Sequence, residues 1–244
     1  MATARPGRRE FQLEAELHYA CAAGGARSPA YPAIVGSGNN ACILHYTTNN
    51  DPLRDGDLVL IDAGSEYEYY AADVTRTFPV GGKFTKAQRE VYEVVLKAQY
   101  AAIDMVRPGN QWNQPHDVAV RELTAGLVEL GLLEGELDAL IEQEAYRKFY
   151  MHKTGHWLGL DVHDVGEYKV GEEWRVFEPG MVTTIEPGLY IPDEMEDVPP
   201  KYRGIGIRIE DNVLVTKDGN EVLTASIPKT PQEIETYMAE HRQP

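Results

Sequence analysis

The strongest constraint on this chain is an internal echo. Gly56-Asp57-Leu58-Val59-Leu60-Ile61-Asp62-Ala63-Gly64 matches Gly180-Met181-Val182-Thr183-Thr184-Ile185-Glu186-Pro187-Gly188 without a gap. Each is a β-branched or apolar run that ends in a carboxylate and then a glycine, the pattern of a buried strand closed by a turn. After each copy a second acid stands beside another strand-like run: Asp73 before Val74-Thr75, and Glu210 after Ile207-Arg208-Ile209. Two copies of one unit facing each other about a pseudo-twofold axis would bring four strand-borne carboxylates toward a common centre. That arrangement is costly unless cations neutralise it.

The segments between the echoes alternate in character. Leu13, Leu17, Ala20 and Cys21 fall at helical spacing, and Gly24-Gly25 closes that helix. Ile34 to Gly38, Cys42 to Tyr46 and Leu58 to Ile61 read as sheet, with Gly, Asn and Pro between them. Thr85 and Gln88 form a capping box, and Val91, Val94, Val95, Ala98 and Ala102 line one face of the helix that follows, up to Arg107-Pro108-Gly109. Two further helices are expected, one carrying Val120, Leu123 and Leu127 and one spanning about Leu137 to Phe149. Met181 to Ile185 and Ile205 to Ile209 return to strand.

Composition narrows the function classes. A 244-residue chain that is 43% hydrophobic can bury one substantial core, so a single catalytic domain over 1–244 is expected. The formal charge of −16 argues against nucleic-acid or anionic-membrane partners, which need clustered Lys and Arg. Cys21 and Cys42 are too few for a disulfide framework, which suits a reducing cytoplasm. The basic start, Met1 to Arg9, runs into polar Glu10 and Gln12 and not into an apolar signal core, and no apolar run is long enough to span a bilayer. A soluble cytoplasmic protein is expected.

Any one of Asp62, Asp73, Glu186 and Glu210 is, taken singly, more often a cap, a turn or an ion-pair residue. Together at strand ends they read as a metal site. Two divalent ions would balance four carboxylates and let a bridging water lose its proton at low cost. His156, in the turn-like Gly155-His156-Trp157-Leu158-Gly159, is the candidate nitrogen ligand. A site so rich in oxygen suits Mn2+, with Co2+ or Zn2+ as alternatives. His45, His152 and His163 are individually ambiguous, and His18 and His116 have nothing further to recommend them.

The order Asp62, Asp73, His156, Glu186, Glu210 resembles the five ligands of the pita-bread metallopeptidases. Ile34 to Gly38, Cys42 to Tyr46, Asp73 to Phe78, His156 to Gly166, Glu186 to Tyr190 and Tyr202 to Glu210 more specifically resemble the bacterial Xaa-Pro aminopeptidases (the aminopeptidase P family). Together these matches span nearly the whole chain. The resemblance implies an α+β pita-bread fold: two pseudo-twofold halves with a curved, mostly antiparallel sheet covered by helices. It implies a metal-dependent hydrolase that cleaves between an N-terminal residue and a following proline, through a hydroxide bridging two metals. Asp73 and Glu210 would bridge both ions, Asp62 would complete one, and His156 with Glu186 the other, with Glu186 also shuttling the proton. His163 matches the donor to the developing oxyanion; His45 and His152 match the histidines that position substrate and contact the leaving group.

An Xaa-Pro bond is a tertiary amide without an N–H, so it needs a dedicated pocket. Tyr190, Trp157 and His152 are the expected flat wall for the pyrrolidine ring. Arg208, on the same strand face as Glu210, is expected to orient a ligand carboxylate or a substrate terminus. Expected partners are peptides with proline second, and a homo-oligomer is left open. The resemblance implies a further N-terminal domain in full-length members, which these 244 residues are not expected to contain. The rival readings are a prolidase acting on Xaa-Pro dipeptides, a methionine aminopeptidase, and a catalytically idle peptide-binding module on the same fold.

Overall fold

The computed structural model describes residues 1–242. In chain order the first half runs α1 (Glu10–Ala23), β1 (Ser28–Pro29), β2 (Ile34–Ser37), β3 (Leu58–Ala63), β4 (Ser65–Tyr67), β5 (Tyr70–Ala71), β6 (Val74–Pro79) and α2 (Lys86–Met105). The second runs α3 (Gln114–Glu129), α4 (Leu137–Glu142), β7 (Lys169–Val170), β8 (Glu173–Trp174), β9 (Val182–Ile185), β10 (Gly188–Ile191), β11 (Ile205–Arg208), β12 (Asp211–Val215), β13 (Asn220–Val222) and α5 (Pro231–His241).

The echo in the sequence is an echo in space. β3 is the centre of the antiparallel sheet β2-β3-β6, with Asp62 between Ile34 and Thr75, while β9 pairs antiparallel with β12 in the sheet β13-β12-β9. Both copies begin at a left-handed glycine, Gly56 at φ +87 and Gly180 at φ +95, a conformation a side chain would strain. Both end at a glycine pressed onto backbone: a Cβ on Gly64 would lie 1.6 Å from the Ala72 carbonyl oxygen, and one on Gly188 2.8 Å from that of Ile207. The fold is the expected α+β pita-bread, two halves of antiparallel sheet covered by helices.

The α2 capping box forms as the sequence predicts. The Thr85 hydroxyl accepts from the Gln88 N–H at 3.2 Å, and the Gln88 side-chain oxygen accepts from the Thr85 N–H at 2.9 Å. Val91, Val95, Ala98 and Ala102 are fully buried, and burying a Val-sized side chain contributes roughly 1.5–3 kcal/mol. Val94 packs elsewhere, against α3 at Gly126, where a Cβ would come within 2.2 Å of the valine methyl. Any larger residue at 126 would force α2 and α3 apart.

Two expectations fail. Cys42 to Tyr46 is not a strand; Gly38–Cys42 forms a 3-10 turn, and the chain then continues in bends. Its β-branched and aromatic residues suggested sheet, but Ala41 and Cys42 press against β11 at Gly206 without joining its ladder, which pairs with β10. The helix expected over Leu137 to Phe149 stops at Glu142. Glu144 is left-handed (φ +53), and a 3-10 turn over Ala145–Lys148 carries Tyr146, Phe149 and Tyr150 into the core. Among the described residues no helix is long and apolar enough to cross a membrane.

Candidate metal centre

The four carboxylates converge because the two sheets are joined at their acid-bearing ends. The Glu210 N–H donates to the Thr75 carbonyl at 3.1 Å, and the Thr75 hydroxyl donates to the Glu210 carboxylate at 2.7 Å. One residue pair along, the Thr77 hydroxyl donates to the Arg208 carbonyl. His156 arrives on a short extended segment along β9: Trp157 bridges to Thr183, the Thr184 N–H donates to the His156 carbonyl, and the Glu186 N–H donates to the Thr154 carbonyl. Gly155 permits that approach, since a Cβ there would lie 2.0 Å from the Thr184 carbonyl oxygen.

His156 is oriented as a ligand. Its Nδ1 lies 2.9 Å from the Trp157 carbonyl, which can only accept, so the proton sits on Nδ1 and Nε2 faces the acids. Nε2 is 3.3 Å from Asp73 Oδ2 and 3.6 Å from Glu186 Oε1. Burial opposes a charge on the ring, but these two carboxylates outweigh it and push its pKa up.

The electrostatics describe a centre short of positive charge. Burial, followed by the neighbouring acids, pushes Glu210 well above the carboxylate range and Glu186 up to about 7. Asp62 is raised by burial and by Asp73 against the pull of Arg208. Only Asp73 falls below its ordinary value, its burial offset by hydrogen bonds from His156 and Tyr31. Asp73, His156 and Glu210 each offer an atom within 4.8 Å of the others. Buried carboxylates driven toward protonation beside an imidazole whose Nε2 is turned toward them are a donor set for a hard or borderline divalent cation. The residues fit a metal.

These groups line a cavity of about 1060 Å³, together with His45, His152 and His163. The His163 ring stands edge-on to His156 with centroids 4.2 Å apart. His152 uses both nitrogens internally, Nδ1 toward the Lys153 carbonyl and Nε2 toward the Tyr190 hydroxyl. Burial and the nearby Arg208 charge push its pKa down to about 3.

Three expected substrate contacts are placed otherwise. Arg208 is 3% exposed and each of its nitrogens has an internal acceptor: Asp62 at 2.7 Å, Tyr190 at 2.9 Å and Thr75 at 3.2 Å. It holds Asp62 and is not free to receive a carboxylate. Tyr190 is fully buried and spends its hydroxyl between His152 and Arg208. Trp157 is packed behind the cavity, stacked on Tyr168 and close to Trp112. Trp112, Tyr168, Trp174 and Phe177 supply the aromatic wall instead.

Sequence reasoning passed over two residues that the fold brings in. The Tyr31 hydroxyl donates to both Asp62 and Asp73, and the one local signal for it was a rigid Pro29-Ala30-Tyr31-Pro32 lead into β2. His116, at the start of α3, bonds the Thr154 hydroxyl at 2.8 Å and lines the cavity, and burial with Lys153 pushes its pKa down to about 4. His18 is exposed on α1, away from the cavity.

A second buried acid lies directly behind the first set. The Asp211 carboxylate accepts from Arg76, Lys229, Gln99 and the Thr224 hydroxyl, all at 2.7 Å. Arg76 also donates to the Glu210 carbonyl at 2.6 Å, and the Asn212 side chain brackets the backbone of Asp73. The backbones of Asp73 and Glu210 are thus held from behind by groups tied to the neighbours in sequence of Glu210.

Residues 1–217 match metallopeptidase family M24. The chain is 56% identical over 238 residues to an Xaa-Pro aminopeptidase of Haemophilus influenzae, covering 98% of this chain and 55% of that relative. It is 55% identical over 242 residues to one of Escherichia coli K12, covering 99% and 54%. Among solved structures it is similar to the aminopeptidase PepP of Pseudomonas aeruginosa, with a TM-score of 0.97, 58% identity and coverage of 98% of this chain and 54% of that one. It is also similar to zinc-substituted E. coli aminopeptidase P in complex with product, with a TM-score of 0.95 and 55% identity, covering 99% and 54%. The chain spans about half the length of the curated relatives it matches.

Proposed function

The chain belongs to metallopeptidase family M24, and from that premise we propose that it is the catalytic part of an Xaa-Pro aminopeptidase, releasing the N-terminal residue of peptides that carry proline second. The observation that carries this reading is the convergence of Asp62, Asp73, Glu186, Glu210 and the oriented His156 on one cavity, in a chain 55–56% identical to relatives named for that activity.

Asp73 and Glu210 would be shared between two divalent ions, with Asp62 on one and His156 and Glu186 on the other, and manganese is the ion we propose. When bound, such ions polarise the scissile carbonyl and make water acidic enough to attack near neutral pH. Glu186, on the cavity wall beside His156, takes the proton released in the attack and passes it to the proline nitrogen as the C–N bond breaks. His163, on the cavity wall beside His156, donates to the carbonyl oxygen as it gains charge. Arg208 and Tyr31 hold Asp62 in place. His152, kept neutral, offers its ring to the substrate beside the aromatic wall that would take the pyrrolidine ring. Arg208, the residue expected to meet the free carboxylate of a dipeptide, is engaged by Asp62, Tyr190 and Thr75.

The test loads chelator-stripped protein with Mn2+ and compares an Xaa-Pro-Xaa tripeptide, the matching Xaa-Pro dipeptide and a Met-Ala peptide. Tripeptide cleavage that falls by about 10²–10⁴-fold in Glu186→Gln is expected. Cleavage of the dipeptide alone would transfer the assignment to prolidase, and cleavage of Met-Ala to methionine aminopeptidase.

A further inference from the structure

Glu10, in the first turn of α1, lies outside the cavity and is fully buried. Its carboxylate accepts four hydrogen bonds. Oε1 takes the Ser37 N–H at 2.7 Å and the Asn40 side chain at 3.1 Å; Oε2 takes the Asp51 N–H at 2.8 Å and the Tyr46 hydroxyl at 2.8 Å. Ser37 ends β2, and Asp51 stands just past the loop that follows it. One carboxylate therefore grips both ends of the loop over 38–50 and, through Tyr46, its middle.

That loop carries Leu44, His45 and Thr47 to the cavity wall. Other ties hold it as well: Ala41 and Cys42 lie against Gly206 of β11, the Asn39 side chain accepts from the Asp193 N–H, and Asn49 ties its far end to Val35 and Ala33, while Glu10 joins both of its ends through backbone N–H groups. The side chain at position 10 has to be an acceptor on both arms, because two backbone N–H groups and a hydroxyl point at it. An amide there would set an NH₂ against one of those N–H groups, and an aspartate would fall one methylene short.

We infer that Glu10 is a positioning residue for His45: it fixes the place of the loop over 38–50 and reaches the reaction only through the side chains that loop carries. The inference rests on the proposed peptidase reading for its kinetic test but not for its structural one. Glu10→Gln, His45→Ala and the double variant are compared for kcat/KM on the tripeptide and for Mn2+ affinity by calorimetry. Glu10→Gln is expected to lower kcat/KM by about ten-fold or more, to add less than about two-fold in the His45→Ala background, and to leave metal affinity within about three-fold. Multiplying fold-changes, or a parallel loss of metal affinity, would overturn it. If Glu10→Gln does not fold, Tyr46→Phe removes one of the four donors and should show a smaller loss with the same dependence on His45.

Amide hydrogen exchange gives a readout that needs no activity. Faster exchange confined to 38–51 in the variant is expected, and acceleration spread through α2 and β3 would reduce Glu10 to a general stabiliser. A wild-type protein that cleaves no peptide would sink the peptidase reading while leaving the exchange experiment decisive for Glu10.

Discussion

Glu210 and Asp211 are adjacent in the chain and equally buried, at 1% and 0% exposure, yet they belong to opposite electrostatic designs. Asp211 is answered within the protein: Arg76 and Lys229 supply charge, Gln99 and Thr224 fill the remaining lone pairs, and its pKa falls despite burial. Glu210 faces Asp62, Asp73 and Glu186, with Arg208 committed to Asp62, and its pKa rises. The difference separates a structural acid, whose counter-charge is built in, from acids whose counter-charge must come from outside. The anchored acid also serves the other set, since Arg76 reaches from Asp211 to the Glu210 carbonyl.

The comparison breaks most sharply at Asp211. Asp211→Ala leaves Arg76 and Lys229 buried without their partner and is expected to cost about 3–5 kcal/mol of stability, with or without metal, read by denaturant unfolding. A loss under about 1 kcal/mol would show that the cluster is not a structural anchor.

The two sets should also respond oppositely to pH. Glu186 has a folded pKa near 7 against an ordinary value of 4.5, so the folded metal-free protein holds a proton that the unfolded chain releases. Its effect is absent below about pH 4.5, and stability falls as pH rises toward 7, by on the order of 2–3 kcal/mol. Asp211, with its pKa lowered, contributes stability that is present above about pH 3.8 and lost as pH falls through the folded value. Unfolding of chelator-treated protein across pH 3–8 measures both limbs. Saturating metal should abolish the upper one, and an upper limb indifferent to metal would mean the acids are not its ligands.

The smallest effect has the most telling sign. Glu210→Gln should raise the stability of the metal-free protein above pH 7 by about 1 kcal/mol, because it removes an acid that ionises more readily in the unfolded chain than beside its buried acidic neighbours, while weakening metal binding. Destabilisation there would place Glu210 with Asp211 as a structural acid.

Much of this was legible in the chain. The α2 capping box, the echoed strands and the five candidate ligands rest on local chemistry: hydrogen bonds three residues apart, and an apolar run ended by an acid and a glycine. Cys42 to Tyr46 misled because its composition favours a strand, whereas its two ends are held by groups distant in sequence, Cys42 against Gly206 and Tyr46 by Glu10. Trp157 and Tyr190 carry the right chemistry for a proline pocket, but which side of β9 and β10 they face depends on Tyr168 and Arg208. His116 and Tyr31 were out of reach for the same reason, each joining the cavity through a partner distant in sequence.

The sequence by itself determined that two strand units would each deliver carboxylates to a turn, because short apolar, β-branched runs and glycines specify strands and their ends without reference to the rest of the chain. Only the tertiary structure decided which acids were left without a counter-charge. Successive residues of an extended chain point to opposite faces, so Glu210 looks into the cavity and Asp211 toward α2 and the segment carrying Lys229. What stands on each face is fixed by packing, and that packing divides two adjacent acids into a candidate ligand and an anchor.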